Sequence, residues 1–239
     1  ILRCLVGSEM CIRDRYYTAG IVADNQNGNI TSCTNNGKID GKIVGGIVGK
    51  STGYIVACQN TAEISNLKEN SNDEEFAGGI VAILETATIE NSKNTGNVIG
   101  STNIGGIAGE SKGTITQCRN DGQVSKVVGV ICKTVNLGGL VGKNGEAARL
   151  SNSKNYGNVN SETDTLVNLG GICGILYNNS IVELCENNGA ISGSGKEIIP
   201  NEDTNTNCAS CTSNNGGSAS TDDFGQLNIG IIYGKYQEI

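Results

Sequence analysis

From residue 20 onward the apolar positions of this chain come in short bursts opened by glycine, with polar stretches between them. The bursts are GIVA at 20–23, GGIVG at 45–49, GGIVA at 78–82, GGIAG at 105–109, GGLVG at 138–142 and GGICG at 170–174. Their second glycines, Gly20, Gly46, Gly79, Gly106, Gly139 and Gly171, are separated by 26, 33, 27, 33 and 32 residues. A period of this size marks a chain built of stacked repeats.

Each repeat has a stricter second half. An aliphatic residue follows the burst (Ile30, Ile55, Ile89, Ile115, Leu150, Val182), and three residues later comes Cys33, Cys58, Ser92, Cys118, Ser153 or Cys185. Two further on stands Asn35, Asn60, Asn94, Asn120, Asn155 or Asn187, without exception. Then, again at steps of two, come Gly37, Ala62, Gly96, Gly122, Gly157 or Gly189, and Ile39, Ile64, Val98, Val124, Val159 or Ile191. A step of two is the strand period and places these columns on one face. With no helical stretch between repeats, the pattern predicts an all-β fold, a parallel β-helix or β-solenoid of about six to seven coils. Stacked rungs about 4.8 Å apart make a body roughly 30 Å long. Like then lies on like. Aliphatics fill the lumen, and the six asparagines form a structural ladder whose amides bond from coil to coil. The neighbouring glycines supply positive φ or close backbone approach.

The repeats differ mainly between the last aliphatic column and the next burst, where the distances are 8, 16, 9, 16 and 13 residues. Insertions such as LKENSNDEEFA at 67–77, KVVGVICKTVN at 126–136 and SETDTLVN at 161–168 therefore project at one corner, which is the expected recognition edge. A second expectation concerns the bursts themselves. Ile47 and Val48, like Ile21 with Val22, Ile80 with Val81 and Leu140 with Val141, would face opposite sides of a regular strand. The outer side would then need a cover, supplied by the insertions or by a neighbouring domain.

Composition narrows the function classes. The chain has 239 residues, 35 Gly, one Pro, no His, no Trp and a net charge of −7. At 37% hydrophobic it is too apolar for disorder. The cations are scattered, so no basic stripe faces a phosphate backbone, which argues against nucleic acid as a partner. Without histidine the commonest metal ligand and general base are missing, and no cofactor is expected. No run is long enough for a membrane span. Residues 5–15, LVGSEMCIRDR, resemble the translation of a transposase-type sequencing-library adapter. The leader 1–15 is therefore set apart from the fold, with Cys4 and Cys11, and no export signal is visible.

The GGIVG, GGIAG and GGLVG bursts, each followed by a Cys-x-Asn-x-Gly-x-Val type run, resemble the GLUG-motif repeats of bacterial cell-surface proteins. The resemblance covers about residues 18–193, through six repeats. Ala23 and Ala82 depart from it by replacing the closing glycine. It implies an extracellular or cell-surface bacterial protein of the kind that includes adhesins and large secreted IgA-peptidase-like proteins. The partners it implies are a host glycan or matrix protein and the flanking domains of a longer chain.

The organisation expected is thus a leader at 1–15, a six-repeat solenoid at 16–193, an irregular excursion or degenerate coil at 194–226, and a final strand at 227–239. In the excursion Cys208 and Cys211 form a Cys-x-x-Cys. With no helix N-terminus beside it and no second pair, it is a local disulfide or two spectator thiols. The thiols of the Cys/Ser column are expected to be reduced. Acids that could serve a glycan-cleaving β-helix are Asp73, Glu74, Glu75, Glu202, Asp203, Asp222 and Asp223, but none recurs one coil away in the same column, as paired carboxylates on adjacent coils would. The sequence therefore reads as a non-enzymatic structural and adhesive segment. The alternatives are a passive stalk and a carbohydrate-acting enzyme.

Overall fold

The fold comes from a computed structural model that describes residues 16–66, 74–126, 134–162, 166–177, 179–200, 208–209, 211–213, 217–230 and 233–237. Among these residues every regular element is a strand. The chain winds as a parallel β-solenoid, and one coil shows the plan. Its approach strand is Ile43–Gly45, its motif strand Val48–Ser51, its third strand Ile55–Val56, its ladder strand Gln59–Asn60 and its return strand Ile64–Ser65. Equivalent strands of successive coils pair in parallel and in register, as in Ile30↔Ile55 and Ile89↔Ile115. Motif, third and ladder strands each stack into a seven-stranded sheet. Approach and return strands belong to one thirteen-stranded sheet, joined through Gly217–Gly230.

The regular period of two does not run along a single strand. The Cys-x-Asn pair lies on the ladder face and the following aliphatic on the return strand, with a bend between them. The Asn and aliphatic columns nevertheless look inward, whereas a Cβ on Gly96, Gly122, Gly157 or Gly189 would strike the carbonyl of the same column one coil back. The corner before the Cys/Ser column is made by a left-handed residue in every repeat: Ser32, Ala57, Asn91, Gln117, Asn152 and Leu184 have φ between 49° and 54°. The positive φ that the sequence pattern assigns to glycine is thus carried here by residues with side chains, and the glycines serve close approach instead.

The interior is divided in two. One apolar cluster runs through Ile47, Val48, Ile55, Cys58 and their equivalents between the motif, third and ladder faces. A second runs through Val44, Ile64, Val98, Ile104, Val124, Leu137 and Val159 between approach and return strands. This overturns the expectation that adjacent burst residues face opposite sides. Ile47 and Val48 lie in the same cluster, as do Ile80 with Val81 and Leu140 with Val141. The physical reason is the corner between approach and motif strands, where the chain bends at residues 46–47. The N–H groups of Ile21 and Val22 both donate to the Ile47 carbonyl, at 3.2 and 3.0 Å, and those of Ile47 and Val48 both donate to that of Ile80, each at 2.9 Å. Two N–H groups thus turn to one carbonyl at the bend while Gly45↔Gly78 and Val48↔Val81 stay in register, and Ile47, Val48, Ile80 and Val81 are all buried. The motif strand needs no external cover on account of these pairs.

Beyond the sixth repeat, Val182–Glu183 pairs with Cys208–Ala209 and Glu186–Asn187 with Thr212–Ser213. Ile191–Gly195 pairs with Gly217–Thr221, and Val167–Gly170 with Leu227–Gly230. Cys173 is matched by Tyr233. The leader 1–15 lies outside the described residues.

Candidate functional site

The asparagine column is a continuous chain of side-chain hydrogen bonds. Each Nδ2 donates to the Oδ1 of the next coil: Asn35 to Asn60 at 2.7 Å, Asn60 to Asn94 and Asn94 to Asn120 at 2.8 Å, Asn120 to Asn155 at 2.9 Å, and Asn155 to Asn187 at 2.8 Å. The second Nδ2 proton goes to the carbonyl two residues on, for example Gly96 for Asn94 and Gly122 for Asn120. The Oδ1 atoms of Asn35, Asn120 and Asn155 also accept the N–H of that residue. Each amide thus ties its own bend and the next coil together, and all the donors point toward the C-terminal coils.

Across the lumen this ladder meets the glycine column. A Cβ on Gly20, Gly46, Gly79, Gly106 or Gly139 would stand less than 3.0 Å from the amide of Asn35, Asn60, Asn94, Asn120 or Asn155, and also from the carbonyl of the next glycine in the column. The two strictest columns of the repeat are therefore one device, an amide packed on bare backbone, and it separates the two apolar clusters.

The cysteines lie in the same architecture. Cys33, Cys58, Cys118, Cys173 and Cys185 are free thiols. Burial pushes Cys118 up to about 12 and Cys185 up to about 11, and raises Cys173 and Cys58 as well. Thiols held this way are not nucleophiles at neutral pH. Where serine replaces cysteine its Oγ accepts a neighbouring N–H, Cys58 to Ser92 at 3.1 Å and Cys118 to Ser153 at 3.0 Å. Cys211 is disulfide-bonded, and the side chain of Cys208 lies outside the described residues.

The corner between return and approach strands differs from coil to coil. Two links are short, Gly41–Lys42 and Ser101–Thr102. Between Ser65 and Phe76, between Lys126 and Thr134, and between Glu162 and Leu166 the chain makes longer excursions. Residues 67–73, 127–133 and 163–165, the centres of the three insertions, lie outside the described residues. At this corner lies a buried polar seam. Ser101 Oγ donates to Glu75 Oε2 at 2.5 Å, the Glu75 N–H donates to Thr102 Oγ1 at 2.7 Å, and Asn66 Nδ2 donates to the Lys42 carbonyl. Glu75 is buried, with its Oε1 unpartnered. A second amide ladder begins here, from Asn168 to Asn136 and from Asn136 to Asn103, each at 2.7 Å. Reading the sequence by its strictest columns misses this ladder, although the run Asn-aliphatic-Gly-Gly at 103–106, 136–139 and 168–171 carries it.

Of the candidate acids, Asp73, Glu202 and Asp203 lie outside the described residues, as do the side chains of Asp222 and Asp223. Glu74 pairs with Lys143, whose Nζ is 3.3 Å from both carboxylate oxygens and 3.4 Å from the nearly buried Glu110. Burial opposes the charge on Lys143, but Glu110 and Glu74 outweigh it and hold the pKa above the usual lysine value. Glu74 and Glu75 are adjacent in sequence yet serve separate networks. Among the described residues no group of three Cys, Asp or Glu side chains is placed to hold a metal ion. Among them, too, no helix is long and apolar enough to cross a membrane.

Beside the seam lies a groove of about 490 Å³, lined by Tyr16, Tyr17, Lys42, Ile43, Glu74, Phe76 and Ile83. Ile43, Phe76, Ala82 and Ile83 form a small apolar cluster of their own against Tyr17, separate from the two lumen clusters.

No family model matches the chain, and no curated protein matches it. In fold it is similar to the crystal structure of a putative immunoglobulin A1 protease from Bacteroides ovatus, with a TM-score of 0.52 and 18% identity. The match covers 82% of this chain and 67% of that one. At such identity the likeness is one of fold.

Proposed function

We propose that this chain is a non-enzymatic structural and adhesive repeat segment, of GLUG type, from a secreted or surface-anchored bacterial protein, and that it meets host glycans or matrix proteins through its insertion corner. The observation that carries this reading is the common origin of the insertions. Each leaves from the end of a return strand and rejoins at the start of an approach strand, while the other bends of the coil hardly vary in length. A rod held by two amide ladders presents these segments in a row along one edge, as binding surfaces on repeat proteins are commonly presented. The fold likeness to the Bacteroides ovatus protein is compatible with an extracellular setting.

The test is to replace residues 67–73 and 127–133 with two-residue Gly-Ser links, imitating the short junctions at 41–42 and 101–102. Binding to immobilised glycan and matrix-protein arrays should fall at least tenfold while the strand-type circular dichroism and urea midpoint stay unchanged. Undiminished binding by the shortened chain would refute the corner as the recognition edge. No binding by either chain would favour the passive stalk.

A further inference from the structure

We infer that Cys33 and Cys58, stacked just before the ladder strands of the first two described coils, form a two-coordinate site for a soft monovalent cation of the copper(I) class. The register places them one above the other. Thr31↔Val56 precedes the pair, Thr34↔Gln59 follows it, and the Gln59 N–H donates to the Cys33 carbonyl at 2.8 Å. Their thiols point the same way, since each Sγ donates to the carbonyl two residues before it, Cys33 to Thr31 and Cys58 to Val56, both at 3.4 Å. Cys58 is buried in a lumen cluster, whereas Cys33 packs against that cluster from a partly exposed position that gives an ion a way in. Among the described residues no other pair of free thiols stands in one column on adjacent coils. The column neighbours of Cys118 are Ser92 and Ser153, those of Cys173 are Val141 and Tyr233, and Cys185 lies between Ser153 and the disulfide-bonded Cys211.

Spacing decides what the pair can hold. Rungs of a parallel sheet lie about 4.8 Å apart, and two side chains pointing the same way keep roughly that separation at sulfur. A disulfide needs sulfurs about 2.05 Å and Cβ atoms about 3.8 Å apart, so closing one would draw the two rungs out of register. Two metal–sulfur bonds of about 2.3 Å laid end to end span about 4.6 Å, and bridge the same pair with the rungs in place. The ligand set narrows the ion further. With no third Cys, Asp or Glu beside them among the described residues, the two sulfurs leave tetrahedral zinc short of ligands and offer nothing to magnesium or calcium, which take oxygen. Thiolates alone favour a soft ion such as copper(I), which two ligands in line satisfy. Burial raises the Cys58 pKa, the Cys33 backbone lowers it, and the Cys33 thiol lies close enough to raise it again. The ion therefore displaces the protons itself: each thiol gives one proton to solvent as its bond to the ion forms, and no electron moves.

The experiment titrates the full chain with copper(I) in the absence of oxygen, against bathocuproine disulfonate as competitor, and adds X-ray absorption at the copper edge. One equivalent should be held by two sulfur neighbours and no nitrogen. Cys33→Ser and Cys58→Ser should each weaken that binding on the order of a hundredfold. Their urea midpoints should change little, because serine already occupies this column as Ser92 and Ser153. Cys118→Ser, and the double variant Cys4→Ser with Cys11→Ser, should bind as the parent does. Undiminished affinity in the Cys33 and Cys58 variants, or its loss in the Cys4 and Cys11 variant, would overturn the inference, as would copper bound by three or four ligands. A chain that holds no copper, whether or not oxidised glutathione closes a Cys33–Cys58 disulfide in it, would overturn it too.

Discussion

A single residue shows how closely neighbouring coils constrain one another. Asn144 is fully buried, and neither its Nδ2 nor its Oδ1 has a partner, nor does Ser111 Oγ one coil below. In the same register position Leu84 and Leu176 are buried in the apolar cluster. An unsatisfied amide there costs stability, and leucine already fits that column. Asn144→Leu should therefore stabilise the fold by roughly 1–3 kcal/mol, read as a raised urea midpoint. A lowered midpoint would mean that an ordered water satisfies the amide. Cys118 makes a second case. Burial raises its pKa from 9.0 to about 12, so the folded chain holds this proton more tightly than the unfolded one. That stabilisation is complete below the unfolded value near 9 and is lost as pH climbs toward 12. Cys118→Ser, which copies Ser92 and Ser153 of the same column, should flatten the fall in urea midpoint between about pH 9 and 11. An identical alkaline slope in both proteins would assign the loss to other groups.

At the scale of elements, the unit is the column and not the strand, since strands of two or three residues have little stability of their own. The glycine and asparagine columns act together across the lumen. Gly106→Ala should destabilise by roughly 3 kcal/mol, because the methyl group meets the Asn120 amide and the Gly139 carbonyl. Asn120→Ala should cost roughly 2–3 kcal/mol by leaving Asn94 Nδ2 and Asn155 Oδ1 unpaired. In the double variant the amide is no longer there to clash, so the combined loss should fall short of the sum by about 1 kcal/mol in a urea-denaturation cycle. Strict additivity would show that the two columns do not communicate.

The whole molecule is a rod whose long-range order comes from contacts between adjacent coils, as expected for a quasi-one-dimensional repeat fold. Its faces away from the corner are laced by ion pairs between coils, such as Lys154–Glu186 at 2.8 Å and Lys93–Asp121 at 2.9 Å. These pairs are exposed and contribute little individually. The carboxylate of Asp121 feels burial that would raise its pKa, but Arg119 and Lys93 outweigh it and hold it below the usual value. The corner is the part of the rod that varies, and shortening its two longest insertions probes the molecule at this scale, because the change leaves every described rung in place.

The repeat period, the strand fold, the direction of stacking and the position of the insertions were all legible in the chain, because in-register parallel stacking sets like on like and writes each column into the sequence at a fixed offset. The ladder residues Asn35 to Asn187 could be read for the same reason. The tertiary structure alone decided what happens across a coil. That Gly106 rests on Asn120, that Ile47 and Val48 share one cluster at a bend, and that Ala57 and Leu184 adopt left-handed backbone all depend on how the coil closes. The groove between Tyr17 and Phe76 and the burial of Glu75 under the corner have the same origin. A periodic pattern reports which residues lie above one another. It carries no record of which columns face each other across the lumen, because each column repeats by itself and the period does not say which two meet.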